Sequence, residues 1–315
     1  MRVFVTAPDG YVGAAIAREL LEHGYEVTGL APSEAAAVRL RADGIDAQVG
    51  SVVDLDALAA AASGADGVIH EAALQVGPGI GFPEACAIET RAVEALGTGL
   101  AGTGGPFVVT SGVGLVAPGA DGLAHEDDEL DPMSPAALRA PTEHAADVAT
   151  AQGVRASVLR FAWSVHGDHG VEGFLPGLIT TAKATRVSAY VGAGTARWSA
   201  VHRRDLAHLY RLALESAAGG ARLHAVAEEG VTMRAIAEGI GAQLGLPVVS
   251  VDPAAASAHF GWLAPFVQHD AAASSVSTRS LLGWAPIGAG LLADIAADCH
   301  AAPEAPVGRQ DRQVA

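Results

Sequence analysis

The chain has 315 residues, half of them apolar and 17% charged, a balance that builds a folded globular protein and excludes a disordered one. Nineteen Lys and Arg stand against 35 Asp and Glu, a formal charge of −16. The clustered cations that nucleic acid or an anionic membrane surface would demand are missing, so neither is an expected partner. Cys86 and Cys299 are far apart and lack CxxC spacing, and read as free thiols of a cytoplasmic protein. The opening MRVFVTAPDG has no apolar core long enough for a secretory signal. The uncharged run 95–120 is broken by repeated Gly and by Pro106 and Pro118, so it is not a membrane span.

In chain order, residues 2–6 read as a buried strand. After a Gly-containing turn, a helix runs through Ala14, Ile16, Ala17, Leu20 and Leu21 and stops at His23-Gly24. Strand 25–30, helix 34–42, strand 46–50, helix 55–62, strand 67–73, helix 83–96 and strand 106–111 follow. A loop rich in Pro and acid then leads to helix 136–151 and strand 154–161. Strands and helices alternating at this pace predict right-handed βαβ units on a parallel sheet, an α/β Rossmann fold. Beyond Phe161 the rhythm changes: 163–200 is Gly-rich and irregular with a helix near 173–184. A long helix 200–215, a strand 221–226, an amphipathic helix 232–245 and helices near 253–263 and 278–282 complete the pattern. The expected division is a dinucleotide-binding domain of 1–162 and 200–226, a smaller substrate-binding region of 163–199 and 227–301, and a polar, disordered tail 302–315.

The first strand-to-helix turn carries Ala7-Pro8-Asp9-Gly10-Tyr11-Val12-Gly13. A pyrophosphate there needs backbone at close range and helix N–H groups aimed at it, and Gly10 and Gly13 fill two of the three glycine positions of such a turn. Ala7 stands at the first, where a Cβ resists positive φ. Gly50-Ser51-Val52, Val68-Ile69-His70-Glu71-Ala72-Ala73, Val108-Val109-Thr110-Ser111, Leu159-Arg160-Phe161 and Val201-His202-Arg203-Arg204-Asp205 follow in order. Over roughly residues 1–230 this set resembles the extended short-chain dehydrogenase/reductases, the nucleotide-sugar epimerase and ketoreductase relatives. The resemblance implies that Ala7, Gly10, Tyr11, Val12 and Gly13 line the pyrophosphate of a nicotinamide coenzyme. It places Ser51 and Val52 against adenine, Ala72, Ala73 and Leu74 under the nicotinamide ribose beside Thr110, and Phe161, Ala162 and Trp163 at the carboxamide. The second strand ends Leu30-Ala31-Pro32-Ser33 with no acid to repel a 2′-phosphate. Ser33, with Arg39 within reach, therefore favours NADP(H), with NAD(H) also accommodated.

That superfamily works with a Tyr and a Lys four residues apart on one helix and a Ser on the fifth strand. In Ser134–His144 the corresponding positions hold Arg139 and Glu143, none of the four tyrosines lies in this helix, and Gly112 takes the Ser place with Ser111 and Thr110 adjacent. Arg139 cannot give up a proton near neutral pH and can act only electrostatically. An ordinary i,i+4 pair of Arg139 with Glu143 accounts for the same two residues. The reading adopted is an NAD(P)H-dependent ketoreductase with non-standard protonation, in which Ser111 and His166 are the candidate catalytic residues. It resembles the reductases of aromatic polyketide (antibiotic) pathways that lack the Tyr-Lys pair, the angucyclinone type for example. A silent NADP-binding regulator or scaffold, or a nucleotide-sugar epimerase/dehydratase relative, fits the same residues.

His166 opens the stretch His166-Gly167-Asp168-His169, too sparse for a metal site. Residues 163–200 hold only Lys183, Arg186 and Arg197, and 240–278 hold no Lys or Arg, whereas Trp163, Phe174, Trp198, Phe260, Trp262, Phe266 and Trp284 crowd the same half. A large hydrophobic ketone is the expected substrate, touching Ser111, Gly112, Trp163, His166 and Trp198. A homo-oligomer is compatible with the sequence.

Overall fold

The computed structural model describes residues 1–71, 80–167 and 170–298. Ala72, Ala73, Leu74, Asp168, His169, Cys299 and the tail 302–315 lie outside the described residues. Strands β1 (Arg2–Val5), β2 (Glu26–Ala31), β3 (Asp46–Val49), β4 (Gly67–His70) and β5 (Pro106–Gly112) alternate with helices α1 (Tyr11–Glu22), α2 (Glu34–Ala42), α3 (Leu55–Ser63) and α4 (Phe82–Leu100). Helix α5 (Ala140–Ala151) and strand β6 (Arg155–Phe161) continue the alternation. With β11 (Arg222–Ala225), these strands form a seven-stranded parallel sheet in the order β11-β6-β5-β4-β1-β2-β3. The fold is a Rossmann-type α/β sheet, as the alternation predicts.

Val3, Val5, Ile69, Val108, Val109 and Leu159 are fully buried because strands covered by helices on both faces have no solvent side. The chain lays β2 and β3 on one side of β1 and returns with β4 on the other. At such a reversal the connections diverge and leave a crevice beyond the carboxyl ends of the strands. That crevice lies between the end of β1 and the end of β4.

After β6 the structure is more regular than the sequence suggests. Strands β7 (Ser164–Gly167), β8 (Gly170–Gly173), β10 (Arg197–His202) and β12 (Glu228–Thr232) form a second sheet, β12-β10-β7-β8. Helix α6 (Leu175–Thr185) lies between β8 and β9 (Ser188–Val191), and β9 pairs with β13 (Val248–Val251). The helix expected at 200–215 is instead the end of β10 followed by α7 (Arg203–Ser216), where His202 accepts a hydrogen bond from the Arg204 amide and caps the helix. Helix α8 (Met233–Leu244) matches its prediction. The helix expected at 253–263 is broken at Gly261, whose φ of +55° separates α9 (Ala256–Phe260) from a short turn and α10 (Ala264–Val267). Helices α11 (Val276–Leu282) and α12 (Leu291–Asp298) close the described chain. No helix among the described residues is long and apolar enough to cross a membrane.

Candidate active site

The crevice begins at Thr6, whose amide donates to the Ile69 carbonyl and whose hydroxyl donates to the Glu71 carbonyl. Gly10 caps α1 in extended backbone and brings no side chain to the first-turn N–H groups, and no acid stands in that turn. Those donors face the crevice as an anion-binding end. Gly13 is fixed by a close approach: a Cβ there would sit 1.8 Å from the Ala7 carbonyl oxygen. Ala7 itself is unstrained. Among the described residues only Arg186 has positive φ without being glycine, so the expected penalty at position 7 does not arise. Val12 is buried under the turn, and the Tyr11 hydroxyl donates to the Gly167 carbonyl while Arg203 lies 4.7 Å over its ring.

Ser33 caps α2, its oxygen accepting from the Ala36 amide, and remains exposed at the end of β2. Arg39 is exposed one turn along and donates to the Ala35 carbonyl. Ser51 is exposed and Val52 half-buried after β3. Half-buried Phe161 and buried Ala162 and Trp163 close the end of β6.

At the end of β5 the structure corrects the sequence reading. Thr110 is buried with its hydroxyl donating to the His70 carbonyl and paired with the Tyr210 hydroxyl, so it has no proton to offer a ligand. Ser111 is also fully buried and donates to Glu143 Oε1 at 2.7 Å. Glu143 receives Nε and Nη2 of Arg160 at 2.9 and 2.8 Å and lies 3.2 Å from Arg222 Nε. Burial opposes its charge, but Arg160, Ser111 and Arg222 together outweigh that and hold its pKa below the ordinary carboxylate value. Arg160 in turn reaches the Glu126 carbonyl and His224 Nε2. This network ties α5 to β5 and β6 and leaves Ser111 facing inward. Beside it, a Cβ on Gly112 would meet only the Phe161 oxygen, at 3.9 Å. Nothing steric forbids a Ser there.

Arg139 does not pair with Glu143, contrary to the i,i+4 reading. It ends a short 3₁₀ turn ahead of α5, and its Nη2 donates to Glu89 Oε1 on α4 at 2.8 Å and, more weakly, to the Thr110 carbonyl at 3.5 Å. Both residues are at least nine-tenths buried. Arg139 Nε and Glu89 Oε2 have no hydrogen-bond partner, nor has Nε2 of buried His70. The Thr6 hydroxyl is spent on the Glu71 carbonyl, so His70 Nδ1, 3.2 Å from Thr6 Oγ1, supplies the hydrogen between them and Nε2 keeps a bare lone pair. Burial, aided by the Arg139 charge, pushes the His70 pKa down to about 4. Burial pushes Glu89 up against the opposing pull of Arg139. Cys86, one turn back on α4, is a buried free thiol raised by burial to about 11 and therefore not a nucleophile at neutral pH. The sequence reading missed Glu89. Its signal was present: Ala85, Cys86, Ala92, Val93 and Leu96 form the buried stripe of α4, and a carboxylate lies on that stripe.

His166 and Trp198 also require correction. His166 is buried, its Nδ1 lies 2.5 Å from Asp294 on α12, and burial pushes its pKa down against the Asp294 and Glu228 carboxylates. It holds the last described helix to β7. Trp198 is fully buried and donates to the Phe266 carbonyl. It forms the back of an aromatic cluster: Trp163 lies 5.8 Å from both Trp198 and Phe266 and 5.1 Å from Phe174, and Phe174 stacks on Phe266 at 4.4 Å. Trp163 fits because Gly114 lacks a side chain; a Cβ there would lie 1.9 Å from the indole nitrogen. The outer edge of the cluster is Trp262, 62% exposed, with half-buried Phe82, Phe174 and His269.

The profile of the NAD dependent epimerase/dehydratase family matches residues 3–226. The chain belongs to that family. The match runs from β1 to just past β11 and so takes in the parallel sheet and the turn after β1. The chain is 42% identical over 300 residues to an uncharacterized protein of Schizosaccharomyces pombe, covering 95% of this chain and 100% of that one. It is 40% identical over 300 residues to an uncharacterized protein of Saccharomyces cerevisiae, covering 95% and 99%. Among solved structures it is similar to a dTDP-glucose 4,6-dehydratase of Streptomyces venezuelae with NAD bound, at a TM-score of 0.74 and 20% identity, covering 95% of this chain and 96% of that one. It is also similar to a UDP-glucose 4-epimerase of Thermotoga maritima with UDP-glucose, at a TM-score of 0.74 and 19% identity, covering 95% and 97%. At such identities the solved structures define the fold alone.

Proposed function

We propose that this family member is a nicotinamide-dependent oxidoreductase that reduces the carbonyl group of an apolar, ring-containing substrate with Arg139 in place of a tyrosine. The carrying observation is the buried Glu89–Arg139 pair beside the ends of β4 and β5, in which the Arg139 Nε–H has no hydrogen-bond partner. The residues fit a dinucleotide: the uncapped first turn of α1 suits its pyrophosphate, and the close packing at Gly13 keeps the turn flat enough for it to approach. Gly10, Tyr11, Val12, Gly13 and Ala7 would hold that group, with Ser51 and Val52 at the adenine and Phe161, Ala162 and Trp163 at the nicotinamide end. When bound, the reduced coenzyme supplies hydride. Arg139 polarises the carbonyl oxygen and stabilises the charge developing on it, in a site screened from water. Glu89 holds the guanidinium in place.

NADP(H) is the proposed form, because β2 ends without an acid and Ser33 is exposed where a 2′-phosphate would lie. The apolar substrate is supported by the aromatic edge of Trp262, Phe82 and Phe174, and by Arg197, which is clamped by Asp270 and the Gly122 carbonyl instead of being available to a diphosphate. Calorimetry with NADPH and NADH, followed by reduced-nicotinamide absorbance with aromatic ketones, quinones and nucleotide sugars, tests the reading. Binding of NADPH and turnover of the aromatic carbonyls are expected. Turnover of nucleotide sugars alone would overturn the substrate class, and binding of neither coenzyme the whole reading.

A further inference from the structure

Resting on the reading above, we propose that Glu71 is an internal competitor of the coenzyme: its carboxylate stands in the space by which the diphosphate approaches the positive end of α1, and weakens coenzyme binding. The two glycines of the corner show where the room is. The Cβ direction of Gly13 is filled by the backbone of Ala7 and Pro8, so that glycine serves packing. At Gly10 a Cβ would meet the Ala7 carbonyl oxygen at 3.3 Å. Among the described residues the one side chain within 4 Å of that position is Glu71, through Oε2 at 4.0 Å. In a dinucleotide turn this second glycine is the one kept bare so that a pyrophosphate can come close to the backbone. Here a carboxylate oxygen from the end of β4 lies beside that space.

Glu71 is not a surface acid reaching over the crevice. It is only 4% exposed, and its backbone is pinned to the end of β1. The Thr6 amide donates to the Ile69 carbonyl at 3.3 Å and the Thr6 hydroxyl to the Glu71 carbonyl at 3.1 Å. Thr6 opens the loop that carries Ala7 and Gly10, so the Glu71 backbone keeps a fixed place beside the corner. Only its side-chain torsions can withdraw the carboxylate. The end of α1 makes the placement favourable. Gly10 brings no side chain to the first-turn N–H groups and no acid stands in that turn. Such an end carries a partial positive charge of roughly half a unit, which stabilises a carboxylate brought to it from β4 just as it would a diphosphate. The two anions cannot share one end without like-charge repulsion, in a place too buried for water to screen it fully. A ligand without phosphate meets no such repulsion.

Titration calorimetry of the full chain with NADPH, ADP and adenosine tests the competition. Glu71→Gln keeps the shape of the side chain and removes its charge. It should bind NADPH and ADP about 10-fold tighter than wild type, or more, the effect of one like charge a few ångströms away in a partly screened site. Its affinity for adenosine, which has no phosphate, should be unchanged. Glu71→Ala should tighten the same two ligands, and carries the test where Glu71→Gln folds poorly. NADPH bound with equal affinity by wild type and both variants leaves the functional reading standing and overturns the competition alone. Weaker NADPH binding by Glu71→Gln overturns it too, and makes the carboxylate a partner of the coenzyme. A gain that extends to adenosine contradicts an effect of charge. If wild type and both variants bind neither NADPH nor NADH, the functional reading falls and the competition with it.

Discussion

Two buried carboxylate–guanidinium pairs flank the end of β5, and they differ in what they leave open. Glu143 and Arg160 are saturated: Glu143 takes Ser111, two nitrogens of Arg160 and the approach of Arg222, and Arg160 spends its remaining reach on the Glu126 carbonyl and His224. Glu89 and Arg139 share one close contact and leave an oxygen and an N–H unpartnered. A saturated buried pair fixes packing, since all its bonding capacity goes to protein atoms. An unsaturated one holds free energy in reserve for a ligand. The comparison teaches that two residues four apart in sequence are put to different ends. Glu143 is held by Ser111 of β5 and Arg160 of β6, and Arg139 has its partner on α4.

The sharpest way to break this contrast is to remove one cation at a time. Arg160→Met leaves Glu143 charged and buried, and should cost about 3–5 kcal/mol in chemical denaturation. Arg139→Met leaves an acid that burial already pushes toward its neutral form and that can take up a proton, so its stability cost should be smaller, about 1–3 kcal/mol, the range for an unsatisfied buried polar group. Equal losses in the two variants would erase the distinction.

Acid sharpens the comparison further. His70 beside the open pair and His224 beside the closed one are both lowered from 6.5 to about 4, each chiefly by burial and then by its neighbouring Arg. The folded state holds them neutral while the unfolded chain protonates them near 6.5. The stability they contribute is therefore present above pH 6.5 and is lost progressively as pH falls toward about 4. The loss is on the order of 3 kcal/mol for each. Urea midpoints taken across that window should drop, and His70→Gln should flatten part of the slope. A pH-independent midpoint would contradict the buried, neutral assignment.

Ser111→Ala should have the smallest effect. It removes one hydrogen bond to a carboxylate that keeps its Arg160 contacts, at a cost of about 1–2 kcal/mol in stability. Because Ser111 faces inward, turnover should stay within a few-fold of wild type. A large loss in kcat with little loss of stability would return Ser111 to the reacting centre.

The sequence disclosed the parallel sheet and the Gly10–Gly13 corner because both are written in local spacing: an apolar strand, a turn and a helix within about 25 residues. The second sheet was hidden. Strands β7, β9 and β13 are four residues long; β9 and β13 pair across 60 residues, and β7 joins β10 across 36 even though β8 follows it at once, so little local periodicity marks the sheet. The site was half legible. Positions 112, 139 and 143 could be singled out directly, but where Arg139 and Glu143 turn depended on Glu89, 50 residues upstream of Arg139, and on Arg160 in the next strand. A charge on the apolar stripe of α4 and Arg160 between Leu159 and Phe161 of β6 were the available signs, since neither can be buried without a partner.

The most direct test is a single-turnover comparison of wild type and Arg139→Met, each saturated with NADPH and mixed with an aromatic ketone that the wild type reduces. If the open pair performs the chemistry, the variant should bind coenzyme as tightly as wild type and consume it about 10²–10³-fold more slowly, the loss expected for one oxyanion-stabilising donor. An Arg139→Met protein that oxidises NADPH at the wild-type rate would contradict the account.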